Sequence, residues 1–288
     1  MTANSNTLRM SAYGRRTTGN KYSAQYQVYV TLEDKIISPF HDIPVYADQD
    51  HINVVNEIPR FENAKFEINK EKKMNPIMQD VKNGKPRYVA NIFPCRGYPW
   101  NYGAIPQTWE DPSVKNTNTN CFGDDDPLDV IEVGNVTKEV GEVYVAKIIG
   151  CIGLIDSGEC DWKIIVIDKR DENAKHVNDV NDLKSTFPGL QNVTYNWFMN
   201  YKLADNKPKN SFLDYGELKS KEFAKNIIKE CHENWKRLMK IELETSISRV
   251  NALQKEHRSV EEIVISDSEG SVEAVPDSLN GYFYVKEE

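Results

Sequence analysis

Residues 123–130 read Gly-Asp-Asp-Asp-Pro-Leu-Asp-Val, with no Lys or Arg among them. Asp124, Asp126 and Asp129 fall within six positions, and a strand-like run, Val130-Ile131-Glu132-Val133, overlaps and follows them. Carboxylates this close repel one another, so a fold that gathers them must also hold a hard cation. Oxygen-only ligands favour magnesium or calcium over zinc or copper. The competing reading is a solvated acidic turn. Against that flexibility, Pro127 fixes its own backbone and restricts Asp126 before it. An EF-hand loop fails on spacing, since it needs Gly at position six and Glu at position twelve. Here Pro127 interrupts the pattern and Asn135 stands twelfth from Asp124. A nucleophilic aspartate at the end of an apolar strand would want hydrophobic residues upstream, whereas Asn118–Gly123 is polar loop. A metal site is the better reading.

The rest of the chain is that of an ordinary water-exposed globule. Of its 288 residues, 39% are hydrophobic and 28% charged, and the length suits one large domain or two small ones. A net charge of −8 disfavours nucleic acid and anionic membrane as partners, though not an anion that arrives bound to magnesium. No run approaches the apolar length of a membrane span. The five cysteines are odd in number, scattered and without a C-x-x-C pair, which points away from zinc and toward a reducing cytoplasm. Residues 1–32 lack acids and carry Arg9, Arg15 and Arg16, a faint transit-peptide character that keeps mitochondrial import as an alternative. They show no amphipathic stripe, and Tyr26–Val30 already reads as a folded strand. The sequons at Asn135 and Asn192 read as chance in a cytosolic chain.

Strands are expected over Tyr26–Leu32, Ile52–Ile58, Ala64–Ile68, Leu128–Val133, Glu142–Ile155 and Trp162–Asp168. The Pro-, Gly- and aromatic-rich stretch Phe93–Pro112 reads as an ordered irregular loop that packs on itself. Short helices are expected around Asp179–Leu183 and after Pro188-Gly189. A strong amphipathic helix spans Lys219–Met239, with Phe223, Ile227, Ile228, Cys231, Trp235 and Leu238 on one face. Strands first and long helices last predict an α+β fold, and many short strands with few free edges favour a closed or nearly closed barrel. The expected units are an N-terminal arm (1–25), a catalytic domain (26–250) and a C-terminal extension (251–288), for whose tail two readings stay open, lying along the domain surface or being partly mobile.

Lys147–Asp156 and Asp161–Asp168 form an expected hairpin, which sets Asp156 and Asp161 at the same end of the sheet. Lys163, two residues beyond Asp161, shares its face, and Lys65 and Glu67 repeat that relation. A solvated face accounts for such alternation when each pair is taken singly. Several pairs beside an independent acidic cluster favour a site.

These residues together resemble the soluble family I inorganic pyrophosphatases, whose signature is Asp-x-Asp-Pro-x-Asp. Val55-Asn56-Glu57-Ile58-Pro59-Arg60, Asn63-Ala64-Lys65-Phe66-Glu67, Tyr98 with Asn101-Tyr102-Gly103, Pro106–Pro112 and Asp161-Trp162-Lys163 are similar to its other blocks. The resemblance runs in order from about Tyr26 to Arg237, is closest to the larger eukaryotic branch, and weakens at both ends. Phe61 stands where a Trp is common in the family. The resemblance implies a compact five-stranded OB-like β-barrel flanked by helices, with extended terminal segments. It also implies a homodimer and magnesium-dependent hydrolysis of pyrophosphate to two phosphates. Three to four ions would bind with substrate, with Mn2+ or Zn2+ as substitutes. Carried over by position, Asp124, Asp129 and Asp161 hold the tightest ion. Asp129 bridges to a second, and Asp126 faces the water between them as general base. Glu67 and Asp156 serve further ions. Lys65, Arg87, Tyr102, Tyr201 and Lys202 are substrate ligands, while Glu57, Tyr98 and Lys163 support the same site, Glu57 counted with the metal carboxylates, Lys163 with the substrate ligands, and Lys65, Arg87 and Tyr98 with Asp126 as catalytic.

The expected chemistry is in-line attack by a metal-bridged hydroxide, with the cations stabilising charge on the equatorial and leaving oxygens. The carboxylates outnumber Lys65, Arg87, Lys163 and Lys202. With an anionic substrate added, the excess is about what three or four divalent cations neutralise. Two alternatives stay open: another metal-dependent phosphohydrolase, and a non-catalytic binding module on the same barrel.

Overall fold

The computed structural model describes residues 12–240, 245–259 and 263–286. Its principal strands are β1 (Tyr13–Lys21), β2 (Gln27–Leu32), β3 (His51–Ile58), β4 (Phe66–Ile68), β5 (Ile77–Gln79), β6 (Asn101–Ala104), β7 (Asp129–Glu132), β8 (Val143–Asp156), β9 (Glu159–Asp168) and β10 (Ser268–Val272). The α-helices are α1 (Val180–Thr186), α2 (Leu190–Asn200) and α3 (Lys221–Lys240). Every expected strand and helix has its counterpart, with strand ends displaced by at most three residues.

Five strands close on themselves. β3 pairs with β6, β6 with β7, β7 with β9, β9 with β8, and β8 returns to β3. Only β7–β9 is parallel. The ring is a five-stranded OB-like barrel, so none of its strands is left as a free edge within the ring. Closure depends on Gly103. A Cβ there would lie 2.1 Å from the Val55 carbonyl oxygen, so β6 approaches β3 as only glycine permits.

The barrel strand β6 lies inside the stretch expected to be irregular loop. Its four residues sit between Pro99 and Pro106, too short a run for period-two alternation to register. Nor does that stretch pack only on itself. Trp100 stacks on Phe198 of α2 at 4.9 Å, and the Trp197 indole N–H donates to the Gly97 carbonyl at 3.0 Å.

Alternation along the strands sorts side chains between two cores. On β9, Trp162, Ile164 and Val166 join Ala224, Ile227, Ile228 and Cys231 of α3, whose spacing makes one apolar helix face. Ile165 and Ile167 face the other way, into a core shared with Val55, Ile131 and Leu154 and with Val28, Phe66 and Ile77 of the second sheet. That sheet runs β10–β1–β2–β5–β4.

Strand β1 falls within the expected N-terminal arm and was not foreseen. Its sequence, Tyr-Gly-Arg-Arg-Thr-Thr-Gly-Asn-Lys, has no apolar alternation, and it is held by backbone pairing to β2 and β10. Arg15 donates to the Val140 carbonyl and Arg16 to that of Ile265, both at 2.8 Å. Arg9 lies outside the described residues. After α3 the chain returns along the domain, where Ala252 and Leu253 N–H groups donate to Asp42, and Phe283 exchanges backbone bonds with Asn91 and Phe93. All five cysteines are free thiols. Among the described residues no helix is long and apolar enough to cross a membrane.

Candidate active site

The same alternation builds most of the site. Asp161 and Lys163 share the face of Ile165 on β9, Asp129 that of Ile131 on β7 and Asp156 that of Leu154 on β8, while Glu57 enters from the register irregularity in β3 between Asn56 and Ile58. At one end of the barrel this inner face changes from aliphatic to charged. Parallel register places Asp129 opposite Lys163, so carboxylates from adjacent strands meet around one ammonium.

A cleft of about 230 Å³ opens there. Every candidate residue lines it: Glu57, Lys65, Glu67, Arg87, Tyr98, Tyr102, Asp124, Asp126, Asp129, Asp156, Asp161, Lys163, Tyr201 and Lys202. The Lys163 ammonium bonds Asp129 and Asp161 and lies 2.9 Å from the Tyr102 hydroxyl, which itself donates to Asp129. Lys202 pairs with Asp156, to which the Tyr201 hydroxyl donates at 3.0 Å. Lys65 pairs with Glu67. The C-terminal end of α2 brings in Tyr201 and Lys202, and Trp197 fixes it there, stacked on Tyr201 at 4.9 Å and packed against Tyr98 at 4.8 Å. Arg87 is returned to the cleft by a tight hairpin whose Asn83-Gly84 turn has φ of 54° and 75°, the left-handed pair that an Asn-Gly turn adopts.

Burial and mutual repulsion shape the electrostatics. Burial, with Asp161 the strongest repelling charge, pushes Asp124 well above the carboxylate range. Burial lifts Asp161 to about 7 against the pull of Lys163, with repulsion from Asp129 adding to the rise. Glu57 is also raised by burial and by Asp129, and Glu67 chiefly by burial. Asp156 goes the other way, because bonds from Lys202 and Tyr201 outweigh its desolvation. Burial raises Tyr98 to about 12 and Tyr102 and Tyr201 well above their ordinary value, so all three are hydroxyl donors at neutral pH.

Glu110, Asp124 and Asp161 each turn an oxygen inward so that the three lie within 4.8 Å of one another. Glu110 Oε1 accepts from the Trp162 N–H at 3.1 Å, while its buried Oε2 has no hydrogen-bond partner. Burial and the Asp124 charge raise Glu110 strongly. Three converging carboxylates, one of which keeps an unsatisfied buried oxygen, fit a hard divalent cation, which takes oxygen ligands and relieves their repulsion. Asp129 is not in this trio, because its carboxylate is engaged by Lys163 and Tyr102.

Two neighbouring acids escaped the sequence reading. Glu110 lies in the Pro106–Pro112 block, where a Glu-Asp pair with no base beside it was the available signal. Asp80 accepts from Arg87 at 2.9 Å and lies 3.5 Å from Lys65. A lone Asp before a turn carried no such signal, and only the hairpin brings Arg87 back to it.

The comparisons agree with this geometry. The family described as inorganic pyrophosphatase matches residues 54–236. The inorganic pyrophosphatase of Encephalitozoon cuniculi is 49% identical over 279 residues, 96% of this chain and 100% of that protein. The solved inorganic pyrophosphatase of Schistosoma japonicum superposes with a TM-score of 0.88 at 40% identity, covering 95% of this chain and 100% of that one. An N-terminally truncated Trypanosoma cruzi vacuolar soluble pyrophosphatase, solved in complex with PPi, superposes with a TM-score of 0.75 at 36% identity, over 80% and 92% of the two chains. Barrel, acidic cleft and near-full-length similarity lead to one conclusion: the chain belongs to the inorganic pyrophosphatase family and is a hydrolase.

Proposed function

We propose that the cleft hydrolyses inorganic pyrophosphate to two orthophosphates with magnesium, by direct in-line attack of water and with Asp126 as the proton acceptor. The observation that carries this reading is one cleft lined by Asp124 and Asp161 together with Lys65, Arg87, Lys163 and Lys202, with a Glu110 oxygen within 4.8 Å of those two carboxylates. Asp124, Asp129, Asp161 and Glu110 would hold magnesium, with Glu57, Glu67 and Asp156 receiving ions that enter with substrate. When bound, magnesium would neutralise these carboxylates and acidify a coordinated water.

The protein groups divide the remaining work. Lys65, Arg87 and Lys202 grip phosphate oxygens and stabilise charge as the bridging bond breaks. Tyr98, Tyr102 and Tyr201 keep their protons, for the reason above, and serve as neutral donors rather than as competing anions. Asp126 stands at the cleft wall, with its backbone N–H donating to Asp124 at 3.1 Å. It accepts the water proton without forming a covalent intermediate. The wider reading is a cytoplasmic homodimer acting on a small anion, with neither nucleic acid nor membrane as partner, consistent with the net charge of −8.

The test is phosphate release from pyrophosphate and from a nucleoside triphosphate, each with magnesium and with excess chelator. Magnesium-dependent release with strong preference for pyrophosphate is expected. Equal rates on the two substrates, or release that chelator leaves untouched, would sink the proposal.

A further inference from the structure

Lys70 lies outside the cleft wall and was not among the candidate residues, yet its ammonium is centred on the loop that carries Asp124 and Asp126. Its Nζ lies 2.6 Å from the Asp125 carbonyl oxygen, 3.2 Å from Asp125 Oδ2 and 2.6 Å from Asp126 Oδ1. An ammonium has three hydrogens, and here three acceptors on two consecutive residues receive them. Asp125 has φ of 68°, a left-handed turn that sends its carboxylate away from the cleft, where the Trp109 indole N–H donates to Oδ1 at 3.0 Å. Backbone bonds between Glu110 and the loop, from Asp125 N to Glu110 O and from Glu110 N to Asp126 O, complete the frame at 2.9 Å each.

The stem of Lys70 is itself anchored. Its carbonyl accepts from the Ser248 N–H at 2.7 Å and from the Asn75 side-chain amide at 3.2 Å, and that amide also reaches the Ser248 carbonyl at 3.1 Å. Asn75 is fully buried, and the Ser38 hydroxyl donates to its Oδ1 at 2.7 Å. The ammonium is therefore delivered from a rigid base rather than from a free surface lysine.

We propose that Lys70 is a positioning residue for the hydrolysis: by pinning Asp126 Oδ1 and the Asp125 backbone, it fixes the angle at which the Asp126 carboxylate faces the cleft. The inference rests on the reading of Asp126 as proton acceptor. Lys70 does not itself line the cleft and contacts none of Lys65, Arg87 and Lys202, so its removal displaces the acceptor and leaves the phosphate ligands in place. A misplacement of about 1 Å costs on the order of 100-fold in rate.

The test is a double-mutant cycle on the full chain with magnesium and pyrophosphate. It comprises Lys70→Ala, Asp126→Asn and the double variant, with Lys70→Arg as the conservative replacement and circular dichroism as a check on folding. Lys70→Ala should lower kcat about 10- to 100-fold with KM changed less than about threefold. Lys70→Arg should recover most of that loss. In the Asp126→Asn background, Lys70→Ala should cost less than about threefold more, because the group it positions is gone. Should Lys70→Ala not fold, Lys70→Gln, which keeps an amide donor, takes its place in the cycle. A slow Asp126→Asn beside an unimpaired Lys70→Ala overturns this inference alone, as does a loss confined to KM or one that multiplies in full with Asp126→Asn. Full turnover in Asp126→Asn overturns the reading of Asp126 and this inference with it.

Discussion

At the scale of single residues, the site separates groups that can hold a metal from groups that can only hold phosphate. Arg87 and Lys202 offer no atom to a cation, whereas Asp129 offers carboxylate oxygens in the same cleft and adds to the repulsion on Asp161. Arg87→Ala should leave resting magnesium affinity near normal and weaken pyrophosphate binding roughly 10- to 100-fold, the weight of charge-assisted hydrogen bonds. Asp129→Ala should clearly lose magnesium affinity before substrate is added. Calorimetric titration of each variant with magnesium, then with pyrophosphate, distinguishes them, and equal loss of resting magnesium in both would mean the roles are misassigned. Asp129 was legible in the sequence because it belongs to a short motif of unusual charge, whereas Arg87 and Lys202 were reached only through the resemblance to the family. Glu110 was less legible than Asp129, since its place in the carboxylate trio exists only once β9 delivers Asp161 beside it.

At the scale of elements, the close approach of β3 and β6 is what turns a sheet into a barrel. Gly103→Ala would drive a methyl group into the Val55 backbone, where no side chain can yield. The expected loss is about 1–3 kcal/mol or more, the range for overpacking a tight site. Urea denaturation should show a lower midpoint, and activity should fall because Tyr102 is the preceding residue on β6. A wild-type midpoint would show that the two strands have room to part. The helices teach the converse lesson. The buried positions of α3 follow its apolar spacing closely, while α2, with one polar and one aromatic end, was readable only as a short helix. What α2 does, holding Tyr201 and Lys202 over Asp156, depends on Trp197 finding Tyr98 and the Gly97 carbonyl, nearly a hundred residues earlier.

At the scale of the whole molecule, His41 ties distant segments together. Its Nδ1 accepts from the Trp235 indole on α3 at 2.9 Å, and its Nε2 faces the Ser248 carbonyl at 3.0 Å. Both nitrogens are thus used by the neutral ring, and a proton on Nδ1 would face an N–H donor. Burial lowers the His41 pKa from 6.5 to about 3. Below pH 6.5 the unfolded chain therefore binds a proton that the folded chain refuses, so this group costs stability progressively as pH falls toward 3 and contributes nothing to the pH dependence above about 7. Replacement by Gln should lower stability at pH 7 but flatten its decline between pH 6.5 and 4, as read from denaturation midpoints. Equal slopes for the two proteins would remove His41 from the account. By itself, the sequence determined four of the five barrel strands, the helices, the acidic motif and the paired residues on β8 and β9, because period-two alternation, turn residues and charge clustering are local properties. Ring closure at Gly103, β1 from a polar run, the place of Glu110 in the carboxylate trio and the grip of Lys70 on its loop were decided only in three dimensions. Each depends on backbone or side-chain partners far away in the chain, and no local pattern encodes the identity of such a partner.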